Sequence, residues 1–276
     1  MKSSEIKATL KDGGAVFGFM ISAIRNIKWG AVLADGGIDY AIIDTEHGQR
    51  SREELSDLCT ILKAVGISPI IRIPYPVPHY VAMALDTGAE GVLVPYCEDP
   101  DVVRHCVSVK RWHPMKGEYL ERAAMTGEFV SQKSKDYLEK RHEGHIIIIG
   151  IESVPGYKNL DEILAIEGID GIFIGPNDMS TSLGKPDDYE NPEYWEVVDG
   201  IITKSEASGR PVMIHQQNVS DSTRAINAGA RFILHSSDSR LLQRQMQSDF
   251  TALRELAEKK LGRSLSRKVK DTVETV

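Results

Sequence analysis

A chain of 276 residues, 41% hydrophobic and 26% charged, is long enough for one large globular domain with a sizeable core. Its net charge of −7 argues against a nucleic-acid partner, which usually meets a basic surface. Three cysteines (Cys59, Cys97 and Cys106) form no CxxC pair and point to reduced thiols in a cytoplasmic protein, and no apolar stretch reaches the ~18 residues of a membrane span.

The first residues, "MKSSEIKATLKDGGAVFGFM", lack the long apolar core of a signal peptide. The first apolar run follows, "AVFGFMIS" (15–22), then "YAIID" (40–44). A helix is expected over 51–66: Ser51 and Glu54 make a capping box, Leu55, Leu58, Ile61, Leu62 and Val65 form a stripe, and Gly66 ends it. "SPIIRIP" (68–74) precedes a helix with an early proline (78–89), and "GVLVPY" (91–96) follows. Next come "HIIIIGIES" (145–153), a helix over 159–168, "GIFIGP" (171–176), a helix over 191–209, "PVMIHQ" (211–216), a helix over 220–230 and "FILHSS" (232–237).

These runs are β-branched and nearly continuous, as strands buried on both faces are. Eight of them alternating with helices predict a (β/α)8 barrel over a single domain, 1–276. An open doubly wound sheet is the competitor, but no GxGxxG follows the first strand. The segment 99–144 is about twice as long as one helix with its loops requires. It reads as an insertion after the fourth strand that covers or borders the site. A C-terminal helical segment, 239–276, carries Leu241, Leu242, Met246, Phe250, Leu253 and Leu256 in a stripe that either closes the barrel or docks on a neighbour. The basic run Lys259–Lys270 within it reads as a solvated face or tail.

In such a barrel the chemistry gathers where the strands end. Those ends hold Asp44, Glu46 and His47, then Arg72, Pro95, Glu152, Asp178 and finally His215 with Gln216. Glu152 and Asp178 follow adjacent strands, so their carboxylates can converge as hard oxygen ligands for Mg2+ or Mn2+, with Co2+ a further candidate. Asp44 is expected to orient His47, whose residue type titrates where a general base should. Arg72, set in an apolar strand, suits a carboxylate or an enolate oxygen. The turn "IGPNDMS" (174–180) offers backbone N–H groups to an anion. His215 reads as a packed histidine, and His79, His105, His113, His142, His145 and His235 as structural or exposed.

From about Gly18 to Leu242 the chain resembles the HpcH/HpaI aldolase family. The resemblance rests on "IDTEHGQ" (43–49), "IIRIPY" (70–75), "ALDTGAEGVLVP" (84–95), "GIES" (150–153) and "EGIDGIFIGPNDMSTSLG" (167–184). It implies a (β/α)8 barrel assembled as a homo-oligomer, a hexamer or a dimer, with a terminal helix exchanged between neighbours. It implies Glu152 and Asp178 as metal ligands, His47 with Asp44 as the base, and Arg72 at the keto oxygen. The substrate carboxylate would sit on the turn Gly175, Pro176, Asn177 and Asp178.

The implied reaction is a metal-dependent aldol cleavage or addition at C3–C4 of a 4-hydroxy-2-oxo acid, with a 2-oxo acid such as pyruvate and an aldehyde as partners. The expected strands contain no lysine, so no Schiff base is required. One stretch departs from the family pattern. Members commonly carry YPPxGxRG, whereas this chain reads "WHPMKGEYLERA" (112–123), keeping Trp112, Pro114 and Gly117 without the RG pair; Arg122 is wrongly spaced to replace it. That leaves open decarboxylation or C–C cleavage of a 2-oxo diacid such as oxaloacetate, in the manner of macrophomate synthase, and 2-oxo-acid binding without turnover.

Overall fold

The computed structural model describes residues 1–265. The end of the expected segment 239–276, and with it the end of the basic run, lies outside the described residues. Eight parallel strands close into a barrel in chain order. They are β1 (Val16–Ile21), β2 (Tyr40–Asp44), β3 (Ser68–Arg72), β4 (Gly91–Val94), β5 (Ile146–Gly150), β6 (Gly171–Ile174), β7 (Val212–Gln216) and β8 (Phe232–Ser237). Every residue of β2, β3, β4, β5 and β6 is buried, which is why these runs show no alternation in the sequence.

Two apolar layers result. Outward-facing strand residues such as Ile43 and Ile71 pack under the helices, against Leu55, Leu58 and Leu62 of Arg52–Ala64 among others. Residues facing inward, including Met20, Tyr40, Ile42, Ile70, Phe173 and Phe232, fill the barrel. Tyr40 spans that interior: its hydroxyl donates to the Ile233 carbonyl at 2.7 Å and its ring meets Phe232 edge-on at 4.8 Å. Only a glycine can stand at position 18, because a Cβ there would lie 2.6 Å from the Tyr40 ring. The N-terminal helix Ser3–Lys11 plugs the lower end, adding Ile6 and Leu10 to the interior layer.

The seam between β8 and β1 is locked by side-chain hydrogen bonds of Asp238 and Arg50. Asp238 accepts from the N–H groups of Ser22, Ala23 and Ile24 at 3.1, 2.9 and 2.6 Å. Arg50 donates to the carbonyls of Ser22 and Ile24, both at 2.9 Å. Together they hold the loop after β1 from both sides.

One expectation is corrected here and another is narrowed. The segment 99–144 forms the helices Pro100–Trp112, Gly117–Thr126 and Gln132–His142. The first runs down the barrel wall, so its end lies where strands begin: Lys110 pairs with Asp170, just before β6, at 2.7 Å. Arg111 pairs with Glu139 at 2.7 Å, and Lys7 of the N-terminal helix donates to the Glu143 carbonyl at 2.8 Å. The segment from Trp112 to Gly144 therefore flanks the end of the barrel opposite the strand tips, and within one chain it does not border the site. There it gathers histidines that are far apart in sequence. His142 donates Nε2–H to the His113 carbonyl at 2.7 Å and faces His145, Nδ1 to Nδ1, at 3.4 Å.

For the last helix, Asp238–Leu261, the structure excludes one of the two expected alternatives. The helix does not close the barrel; of its residues only Asp238 is buried, while Leu242, Met246, Phe250, Leu253 and Leu256 stay exposed. The flank of β1 and β8, where an outer helix would pack, is a bare groove of about 540 Å3 walled by Phe17, Val32, Val219, Ile226 and Leu241. No helix among the described residues is long and apolar enough to cross a membrane.

Candidate active site

The strand tips bring together most of the residues singled out in the sequence. Parallel pairing sets Asp44 beside Arg72. Both are buried, and Arg72 Nε donates to Asp44 Oδ1 at 2.8 Å. A second carboxylate shares the guanidinium, since Glu46 Oε2 lies 2.9 Å from Arg72 Nη1. Among the described residues Arg72 Nη2 meets only the Met20 thioether, at 3.7 Å. Burial is the largest single influence and works against both charges of the Asp44–Arg72 pair, but their mutual hydrogen bond and attraction, with the Glu46 N–H on Asp44 and the Glu46 and Glu152 carboxylates near Arg72, together outweigh it: the Asp44 carboxyl is held below its ordinary range and the guanidinium stays charged.

His47 is not oriented by Asp44 as expected. Asp44 is occupied by Arg72 and by the Glu46 N–H at 3.0 Å. The carboxylate nearest to His47 Nε2 is Glu46 Oε2 at 3.7 Å, beyond hydrogen-bond reach, and the imidazole is 42% exposed at the rim. A cleft of about 360 Å3 opens beside it, between the helices Arg52–Ala64 and Pro78–Asp86. The larger groove on the barrel flank touches none of these groups.

Glu152, just past β5, is the most confined carboxyl of the set, 2% exposed. It lies in a cradle of glycines. A Cβ on Gly150 would collide with Oε1, and one on Gly175 would collide with Oε2 and stand 3.0 Å from the carboxyl carbon. Oε1 accepts the Tyr96 N–H at 2.7 Å. Burial pushes the Glu152 carboxyl up to about 8; the Tyr96 N–H and Arg72 pull it down, and Glu46 and Asp178 push it further up. Burial also raises Glu46, against Arg72 and His47 and with Asp44 and Asp178. Asp178 is exposed, in the short helix Pro176–Ser182 that starts at Gly175. Asn177 accepts a hydrogen bond from the Tyr189 hydroxyl, which also contacts Asp187 at 2.9 Å.

Asp44, Glu46 and Glu152 thus share the Arg72 guanidinium, and Asp178 acts on Glu46 and Glu152. An excess of carboxylates of this kind can take up a cation, and Glu152 and Asp178 are residues that could hold one. Among the described residues no group of three or more His, Cys, Asp or Glu side chains is arranged to hold a metal by itself. His215, on β7, donates Nε2–H to the Ser236 carbonyl at 3.1 Å, and burial pushes it down to about 4, so it is a neutral packed residue as the sequence suggested.

Sequence alone does not show Glu46 as a partner of Arg72, Tyr96 as the donor to Glu152, or the cradle that Gly150 and Gly175 form. Glu46 was visible beside His47, but nothing in its spacing said which way it would turn. Gly150 and Gly175 closed two apolar runs, a position where glycine marks close approach of another group.

A family model described as HpcH/HpaI aldolase/citrate lyase matches residues 24–244. The chain belongs to this family. It is accordingly a carbon–carbon lyase of the HpcH/HpaI aldolase type. A 2-keto-3-deoxy-L-rhamnonate aldolase from Salmonella gallinarum (strain 287/91 / NCTC 13346) is 28% identical over 250 residues, covering 89% of this chain and 91% of that protein. Among solved structures, an HpcH/HpaI aldolase/citrate lyase family protein from Burkholderia cenocepacia J2315 is 26% identical with a TM-score of 0.79, covering 91% of this chain and 99% of that one. Macrophomate synthase is 25% identical with a TM-score of 0.75, over 92% and 90% of the two chains.

Proposed function

We propose that this HpcH/HpaI-family lyase is a divalent-metal-dependent aldolase that makes or cleaves the C3–C4 bond of a 4-hydroxy-2-oxo acid through a 2-oxo-acid enolate. The observation that carries the reading is Glu152: a buried carboxyl raised to about 8, cradled by two glycines and crowded by other carboxylates. A group so placed is costly without a counter-charge. Glu152 and Asp178 would hold Mg2+ or Mn2+, with Co2+ a further candidate, and the ion when bound supplies Lewis-acid polarisation of the keto group.

The remaining steps fall to the chain's own residues. Arg72 is fixed by Asp44 and Glu46 and, among the described residues, keeps Nη2 free of oxygen partners, so it can donate to the keto oxygen as negative charge grows there. His47, exposed at the rim, takes the proton from C3 in the direction of addition; the enolate carbon then attacks the aldehyde carbon, whose oxygen gains a proton. The turn from Gly175 to Asp178 is assigned to the substrate carboxylate on the family resemblance. The relative's name specifies a 2-keto-3-deoxy acid, a class with a methylene beside the keto group.

The deciding experiment follows deuterium exchange at C3 of pyruvate in the protein stripped of metal by EDTA and then supplied with Mg2+ or Mn2+. Exchange that appears only with metal supports the reading; full exchange in the stripped protein ends it. A second reading, decarboxylation or C–C cleavage of a 2-oxo diacid, is favoured by the missing RG pair and the likeness to macrophomate synthase. Product analysis with oxaloacetate against a 4-hydroxy-2-oxo acid separates the two.

The quaternary state on this reading is a homo-oligomer with exchanged helices. The exposed stripe of Asp238–Leu261 and the bare groove over β1 and β8 are both apolar, and Leu241 at the start of the helix lines the groove.

A further inference from the structure

Tyr96 follows Pro95 at the end of β4 with φ +48°, in the left-handed region that bulky side chains rarely adopt. The conformation serves the site. It aims the Tyr96 N–H at Glu152, while the next N–H, of Cys97, donates to the Gly150 carbonyl at 2.8 Å. A glycine would meet both demands without strain. The chain carries a tyrosine instead, and its side chain gains little from packing, since the residue is 43% exposed. The residue stands among Glu98, Asp178 and Glu152, and a phenolic hydroxyl there is a donor to an acceptor oxygen. A strained, unburied ring beside the site's carboxylates is accounted for by a role at the mouth, where strain is commonly stored.

We propose that Tyr96 is a specificity-determining residue: its ring walls the mouth that the electrophile enters, and its hydroxyl donates to an oxygen of that electrophile. This rests on the enolate reading above. The two parts of the reaction can be read separately, because C3 exchange of pyruvate needs no aldehyde and the KM for aldehyde reports the mouth.

The experiment compares Tyr96→Gly and Tyr96→Phe with the wild-type protein, metal-loaded, on C3 exchange, on aldehyde KM across hydroxylated and unsubstituted aldehydes, and on thermal midpoint. In Tyr96→Gly the aldehyde KM should rise by more than about tenfold and discrimination between the two aldehyde types should vanish, with exchange falling by less than that and the midpoint unchanged or higher. Tyr96→Phe should keep exchange closer to wild type and lose the preference for hydroxylated aldehydes. Wild-type aldehyde preference in both variants overturns the proposal. So does a parallel collapse of exchange, KM and midpoint in Tyr96→Gly, which would make the residue a support only. Absence of exchange in the wild-type protein overturns the enolate reading and the Tyr96 proposal with it; normal wild-type exchange with unaltered variants overturns the Tyr96 proposal alone.

Discussion

Asp44 and Arg72 sit in register on neighbouring strands, and the carboxylate that a sequence reader would give to His47 is bonded to the guanidinium at 2.8 Å. Asp44→Ala leaves a buried arginine without its main partner, and the loss should be about 3–5 kcal/mol in urea unfolding. Asp44→Asn should cost less, and its pH–rate profile for C3 exchange should keep the wild-type shape. A displaced acid limb in Asp44→Asn would return Asp44 to the role of orienting His47.

Gly175→Ala should disable the site while sparing the barrel. The added methyl collides with Glu152 Oε2, the far end of a side chain, so Glu152 rather than the backbone must give way. We expect metal-stimulated activity to fall by about 10²-fold, with a change in unfolding free energy within about 1–3 kcal/mol. Wild-type activity in this variant would show that Glu152 need not occupy its cradle.

The raised Glu152 carboxyl sets a direction for pH. Free of metal, the folded protein holds this proton up to about 8, whereas an unfolded chain releases it near the ordinary carboxyl value. The folded state therefore binds more protons between roughly pH 4.5 and 8, and its stability falls as pH rises through that window. Added Mn2+ should raise the thermal midpoint more at pH 8.5 than at pH 6, because binding must displace the proton. Glu152→Gln should abolish both the slope and the metal response.

At the other end of the barrel the slope has the opposite sign. Burial, with His142, Lys110 and Lys7 adding to it, pushes His145 down to about 4. An unfolded histidine takes a proton near 6.5, so the unfolded state binds more protons between pH 6.5 and 4 and stability falls as the medium is acidified. The full linkage is reduced by the residue's partial exposure to about 1–2 kcal/mol. His145→Gln should flatten the acid limb of a midpoint-against-pH curve.

The last helix gives a prediction about assembly. Met246→Glu with Phe250→Glu places charges on the exposed stripe and should reduce the particle mass seen by light scattering, leaving the barrel's circular dichroism unchanged. An unaltered mass would detach that stripe from subunit contact.

The barrel was legible because burial on both faces writes itself as β-branched runs, and the strand-end rule then located Asp44, His47, Arg72, Glu152 and Asp178 without coordinates. What sequence could not supply was side-chain direction. The tip of β2 offers two carboxylates and an imidazole within four residues, and which of them meets Arg72 depends on register with β3. The insertion was misplaced for a similar reason. Its length drew attention to the mouth, while the helix Pro100–Trp112 carries the chain to the far end before the extra residues begin. The histidine cluster at that end joins positions up to 32 residues apart, which no local spacing reveals.

That placement of residues 113–144 makes the molecule divisible for an experimenter. The loop between Thr126 and Gln132 holds a left-handed Gly127 and an exposed Val130, remote from every group at the strand tips. A fluorophore or a short peptide tether grafted there would travel with the enzyme as an inert handle, so surface immobilisation could be tuned independently of turnover.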